Sequence, residues 1–143
     1  MDEIKFFVAG EPVPQGSTKS FYIKKIEKVV TTHGNKSTGV WRQRIATEAQ
    51  RAQMSDYFFS ADRKYAYSIT LIFKFTKPKS IPKKVIYNTK RPDIDKLIRA
   101  VLDGITNVLI PDDSLVVAIT SKKEYAGENE TPGLMVSLTR LNP

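Results

Sequence analysis

The sequence predicts an α+β fold in which two main helices pack on a small mixed β-sheet. Tyr65 to Thr76 (YAYSITLIFKFT) is rich in aromatic and β-branched residues and places Tyr67, Ile69, Leu71, Phe73 and Phe75 on one side, the period of a strand with one buried face. Ile94, Leu97, Ile98, Val101, Leu102, Ile105 and Val108 recur at three and four, the period of a helix with one apolar stripe. Several shorter strand-like runs surround these two segments, with no repeat and no low-complexity tract. At 143 residues the chain is expected to form a single domain spanning 1–143.

In chain order, Ile4 to Ala9 reads as a first strand, stopped by Gly10, Pro12 and Pro14. Ser20 to Lys25 and Val29 to Thr32 read as two short strands, followed by a loop from His33 to Gly39. Asn35 or Ser37 is placed to cap a helix over about Val40 to Gln53, whose apolar positions Val40, Trp41, Ile45, Ala49 and Ala52 fit one face loosely. After the strand at 65–76, Pro78 and Pro82 break the chain into a basic loop, and the second helix covers about Asp93 to Asn107. Leu115 to Lys123 and Leu134 to Arg140 close the chain as strands around Gly127 and Pro132-Gly133.

Composition removes several chemistries. There are no cysteines, which excludes disulfides, zinc ribbons, iron–sulfur ligation and thiol nucleophiles and suits a reducing compartment. The single histidine, His33, excludes multi-histidine metal sites and reads as an exposed loop residue. No 18-residue apolar run is present, and Met1-Asp2-Glu3 does not begin a secretory signal, so a cytoplasmic protein with no membrane association is expected. Gly10 to Ser17 lacks phosphate-loop spacing, so no nucleotide cofactor is expected.

Charge is unevenly distributed. The formal net charge is +8, yet Arg63 to Pro92 holds nine basic residues and no acidic one, while the remainder carries 14 basic against 15 acidic. A local positive field of this kind suits a polyanion such as nucleic acid; the plainer alternative is a solvated lysine-rich face. Directly afterwards Asp93, Asp95, Asp103, Asp112 and Asp113 fall within 21 residues, against only Lys96 and Arg99. Carboxylates repel phosphate unless they hold a divalent cation that itself contacts it.

Each aspartate also has a structural explanation. Asp93 can cap the second helix and Asp95 can complement its dipole. Two carboxylates two residues apart diverge by about 200° in a regular helix, but converge where an extended residue leads into the helix, as Pro92 favours. Asp112 or Asp113 can simply form a turn. Asp103 lies about 12 Å along the helix from Asp95, too far to share a cation, and reads as a surface residue. Arg99 is either an i,i+4 partner of Asp95 or a cation for charge developing on an attacked phosphate. Trp41 reads as core rather than as a base-stacking platform.

The run RPDIDKLIRAVLDGITNVLIPDDSLV, residues 91–116, resembles the RusA family of Holliday junction resolvases, and GEPVPQGSTKSF, Asn35-Lys36 and Trp41-Arg42 extend the likeness over most of the chain. The matching elements are Asp93, Asp95, Leu97, Leu102-Asp103-Gly104 and Asp112-Asp113-Ser114. The resemblance implies a small homodimeric, Mg²⁺-dependent, structure-selective endodeoxyribonuclease of DNA recombination and repair, with Mn²⁺ able to substitute. Its substrate would be branched DNA, a four-way junction resolved by paired phosphodiester hydrolysis. It makes Asp93, Asp95 and Asp113 the metal-binding catalytic carboxylates. Arg99 stands where the family has a lysine and keeps the charge without a transferable proton. Lys96 stands where asparagine is usual, and Lys123 matches a recurrent lysine suited to phosphate. Lys77, Lys79, Lys83, Lys84, Lys90, Arg91, Lys96 and Lys123 are the expected DNA-binding residues. The rivals are a non-catalytic basic DNA-binding module and a metal-dependent nuclease of flaps or RNA. Asp113 can join Asp93 and Asp95 only if the segment after the helix folds straight back along it or if a partner subunit delivers it. The first route, within one subunit, is the expected one, with Leu109 and Ile110 pinning the return to the apolar helix face.

Overall fold

The computed structural model describes residues 2–16, 19–23, 28–32, 36–56 and 59–143. Along the chain the elements are β1 (Glu3–Ala9), β2 (Lys19–Ile23), β3 (Lys28–Thr32), α1 (Lys36–Ser55), β4 (Ala66–Phe75), α2 (Ile94–Ile105), a single 3-10 turn (Asp113–Leu115), β5 (Val116–Tyr125) and β6 (Gly133–Leu141). The four longer strands form one sheet in the order β1-β6-β4-β5, while β2 and β3 pair antiparallel as a separate ribbon. β6 runs antiparallel to both β1 and β4, whereas β4 and β5 are parallel. A parallel pair needs a crossover connection, and α2 supplies it.

One face of the sheet carries the core. Tyr67, Ile69, Leu71, Phe73 and Phe75 of β4 are all buried, as their alternation predicts, and Leu134, Val136 and Leu138 of β6 join Ile4 and Val8 of β1 beside them. Trp41, Ile45 and Ala49 of α1 and Leu97, Ala100, Val101 and Ile105 of α2 close over that face. The helices approach closely at Gly104, where a Cβ would stand 2.8 Å from Ile45 Cγ2. Arg42 and Asp103 form an ion pair of 4.0 Å across the same contact.

α1 starts earlier and ends later than expected. Ser37 lies inside it and so is not its cap; Asn35 and His33 lie outside the described residues. Thr38, 5% exposed, anchors the first turn by donating to Pro14 O at 2.9 Å. Val40 is 64% exposed rather than part of the apolar face. Trp41, Ile45 and Ala49 repeat at four and set the buried stripe, and a residue one position before Trp41 is rotated about 100° away from it. Trp41 itself is core, as expected.

Candidate functional site

The loop after β4 is fixed to the outer edge of β5. Tyr125 N–H donates to Ile86 O at 2.8 Å and Asn88 N–H to Lys123 O at 3.0 Å, so 86–88 acts as a short antiparallel strand. Asn88 is buried and its Oδ1 accepts from Lys90 N–H at 2.9 Å, while Lys123 Nζ donates to Lys90 O at 2.6 Å. These bonds carry the chain to a cis Arg91–Pro92 bond and to the start of α2.

Asp93 is extended, with φ −70° and ψ 141°, and its carbonyl accepts the first helical bond from Leu97 N–H at 3.2 Å. Its backbone is therefore the cap, but its carboxylate caps no N–H group and faces Lys96 Nζ at 3.8 Å. Asp95 follows as the second helical residue, exposed like Asp93. Both line one open cleft of ≈ 560 Å³ together with Tyr87, Asn88, Lys122 and Lys123. The extended cap residue thus brings together two carboxylates that a continuous helix would separate. Gln15 N–H donates to Lys96 O at 3.0 Å, so the proline-rich N-terminal segment also holds this first turn in place. Asn88 and Gln15 were not singled out from the sequence; only Asn88 had a local signal, an asparagine able to accept from the N–H two residues on.

Asp113 lies elsewhere. It is exposed in the 3-10 turn before β5, while Lys122 and Lys123 near the far end of β5 line the cleft. Seven residues of extended strand separate Val116 from Lys123, a span of about 23 Å. Among the described residues no three metal-ligating side chains come together. The expected return along the helix within one subunit is therefore not made before Asp113. Asn107 N–H donates to Ile110 O at 2.7 Å and Leu109 N–H to Ile105 O at 2.9 Å, which keeps 106–110 in a tight turn at the helix end. Leu109 and Ile110 are buried there, and β5 itself makes the return.

Asp112 is the turn-forming member of its pair. Its carboxylate accepts from Ser114 Oγ and from Ser114 N–H, the latter at 3.1 Å, and these bonds hold its pKa below the ordinary value, with Arg63 adding to the effect. Asp103 is paired with Arg42, away from the cleft. Arg99 is exposed and, among the described residues, forms no ion pair with Asp95.

The basic loop lies at the same end of the sheet as the cleft. Lys79, Lys84, Lys90 and Arg91 are exposed. Lys77 Nζ donates to Lys83 O at 2.8 Å, and Lys83 pairs with Glu128 at 3.5 Å on the open surface. A larger groove of ≈ 790 Å³ lies between β1 and α1. Its one carboxylate, Glu48, is taken by Arg51 at 2.7 Å, so metal or phosphate chemistry is better served by the smaller cleft.

A four-stranded mixed sheet crossed by two helices, with a carboxylate pair beside a basic loop, is the frame in which the family match falls. Residues 9–139 match the family described as Endodeoxyribonuclease RusA, and the chain belongs to that family. A similar protein is the Uncharacterized protein YqaN of Bacillus subtilis (strain 168), 28% identical over an alignment 143 positions long that covers 90% of this chain and 92% of the relative. Among the described residues no helix is long and apolar enough to cross a membrane.

Proposed function

We propose that this single-domain chain is a Mg²⁺-dependent, structure-selective endodeoxyribonuclease that resolves four-way DNA junctions in recombination and repair, acting as a homodimer. The observation that carries this reading is the cleft: Asp93 and Asp95, neither of them used as a side-chain cap, open beside Lys122 and Lys123 at the end of an acid-free basic segment. A non-catalytic DNA-binding surface gains nothing from two uncapped carboxylates facing phosphate. Their hard oxygen donors fit Mg²⁺ or Mn²⁺, and two carboxylates leave coordination positions for a further ligand, for water and for phosphate oxygens. Asp113 fits as the third carboxylate only when it comes from the partner subunit, because its own cleft is out of reach.

A bound divalent cation would lower the pKa of water and neutralise charge on the attacked phosphate. Asp93 and Asp95 would hold it. Lys123, with its ammonium fixed by Lys90 O, would bind a non-bridging phosphate oxygen, as would Lys96. Arg99 would stabilise negative charge but would not act as a proton donor. Lys77, Lys79, Lys83, Lys84, Lys90 and Arg91 would follow the DNA arms. The test is incubation with a synthetic four-way junction and Mg²⁺, beside linear duplex, flap and RNA controls. Paired incisions confined to the junction are expected; equal cutting of flaps or RNA would move the substrate class, and binding without any cutting would leave only the binding module.

A further inference from the structure

We propose that Tyr87 is a stacking platform for an unpaired base beside the branch point, and that this contact makes the cleft prefer a junction to linear duplex. The inference deepens the nuclease reading above and rests on it for the substrate class. Tyr87 is the one aromatic residue lining the cleft, where Asp93, Asp95, Lys122 and Lys123 also stand. It is 57% exposed, and among the described residues its ring meets no other ring or cation and its hydroxyl makes no hydrogen bond. Leaving so much aromatic surface in water gains nothing for the fold. Its backbone is nevertheless fixed on both sides: Ile86 O accepts from Tyr125 N–H at 2.8 Å, and Asn88 N–H donates to Lys123 O at 3.0 Å. An exposed ring on an immobilised backbone meets a flat partner at low entropic cost.

The surrounding charges select a base over a phosphate for this ring. Tyr87 stands opposite Glu124 in the short ladder between 86–88 and β5, and cross-strand partners share a face of the sheet. The Glu124 carboxylate disfavours phosphate beside the ring. Lys122, two residues earlier on the same face, and Lys123, whose ammonium is held by Lys90 O, offer phosphate its sites instead. A strand with its backbone on these lysines and a base on Tyr87 would carry its phosphates past Asp93 and Asp95. In linear duplex both faces of every base are stacked inside the helix, so a ring fixed at the cleft finds no partner. At a branch point pairing is interrupted, and a base is exposed at smaller cost. Base–aromatic stacking tolerates any base, so Tyr87 would read the branch rather than the sequence.

Binding is read with the full chain in Ca²⁺, so that no strand is cut, on a synthetic four-way junction and on linear duplex of the same arm sequence. Tyr87→Ala is expected to bind the junction on the order of tenfold more weakly and to leave duplex affinity unchanged. Tyr87→Phe keeps the ring and is expected to bind both DNAs as wild type does, which separates stacking from a hydroxyl–phosphate contact. Ile86→Ala removes a neighbouring 60%-exposed side chain outside the cleft and is expected to change neither affinity. Iodouracil in place of thymine beside the branch point is expected to give, on irradiation, an adduct at Tyr87 identified by mass spectrometry. The same base within linear duplex is expected to give none, and this readout on the wild-type chain decides should Tyr87→Ala fold poorly. Equal losses on junction and duplex, a Tyr87→Phe loss as large as that of Tyr87→Ala, or no loss at all overturns the stacking contact, as does the lack of an adduct. Junction binding with the expected signatures but no cutting in Mg²⁺ removes the nuclease and leaves the contact. Junction cutting without an adduct at Tyr87 does the reverse.

Discussion

Asn88 shows how a single side chain positions this cleft without carrying charge. It is buried, its N–H holds Lys123 O, and its Oδ1 takes Lys90 N–H, so the backbone of both Lys90 and Lys123 depends on it. Asn88→Ala removes the second bond and leaves the part-buried Lys90 N–H without its acceptor, a cost of about 1 kcal/mol. A drop of a few degrees in Tm is expected, with junction cleavage falling on the order of tenfold or more because small misplacements at a reacting centre are costly. Unchanged cleavage in a variant of lowered Tm would reduce Asn88 to a stabilising residue. The carboxylates separate in the same way. Asp95→Asn is expected to abolish cleavage while junction binding persists, measured by gel shift in Ca²⁺. Asp103→Asn, which loses only a 4.0 Å surface pair with Arg42 worth at most about 0.5 kcal/mol, is expected to cleave within about twofold of wild type.

At the scale of elements, the contact between α1 and α2 turns on Gly104. Alanine is a better helix former than glycine by about 1 kcal/mol, but here its Cβ would meet Ile45 Cγ2 at 2.8 Å and Arg42 O at 3.3 Å. Overpacking costs of about 1–3 kcal/mol outweigh the propensity gain, so Gly104→Ala is expected to lower the denaturant midpoint rather than raise it. The 3-10 turn before β5 has its own signature. Ser114 holds the Asp112 carboxyl below its ordinary value, so this group's contribution to stability is present above the unfolded pKa and is lost as pH falls through the lower folded one. Ser114→Ala is expected to return the Asp112 titration towards the ordinary carboxylate range, read by carbon NMR of the side chain. The basic loop is tested by salt. Lys83→Ala with Lys84→Ala is expected to reduce the slope of log affinity against log salt by about one unit per lost phosphate contact, and an unchanged slope would make this a solvated face.

At the scale of the molecule, the sheet sets a distance that a single subunit does not bridge. α2 and β5 run in opposite directions, so the carboxylates at the start of α2 lie near the end of β5 while Asp113 stands at its beginning. If Asp113 serves the partner's cleft, a mixed dimer of Asp93→Asn and Asp113→Asn subunits carries one doubly damaged and one intact site. Nicking without paired incision is then expected, where each variant alone is inert. Mixtures as dead as their parents would show that Asp113 does not serve the partner's cleft.

The sequence by itself determined the elements whose signals are local. The alternation of Tyr67 to Phe75 survives as the buried face of β4, and the three-and-four spacing from Ile94 to Ile105 survives as the packed face of α2. The acid-free basic segment and the close pair Asp93 and Asp95 were equally legible, since charge and short spacing are written along the chain. Tertiary structure decided what depends on partners distant in sequence. The insertion of β6 between β1 and β4, the burial of Asn88 under the edge of β5, and the bond from Gln15 to the first turn of α2 all join residues with no common period. The position of Asp113 was decided there as well. A motif brings it within 20 residues of Asp93, but a tight turn leaves it at the start of β5, whose extended strand spans about 23 Å from Val116 to the cleft at Lys123, because sequence separation fixes only the longest distance a chain can span and packing chooses the rest.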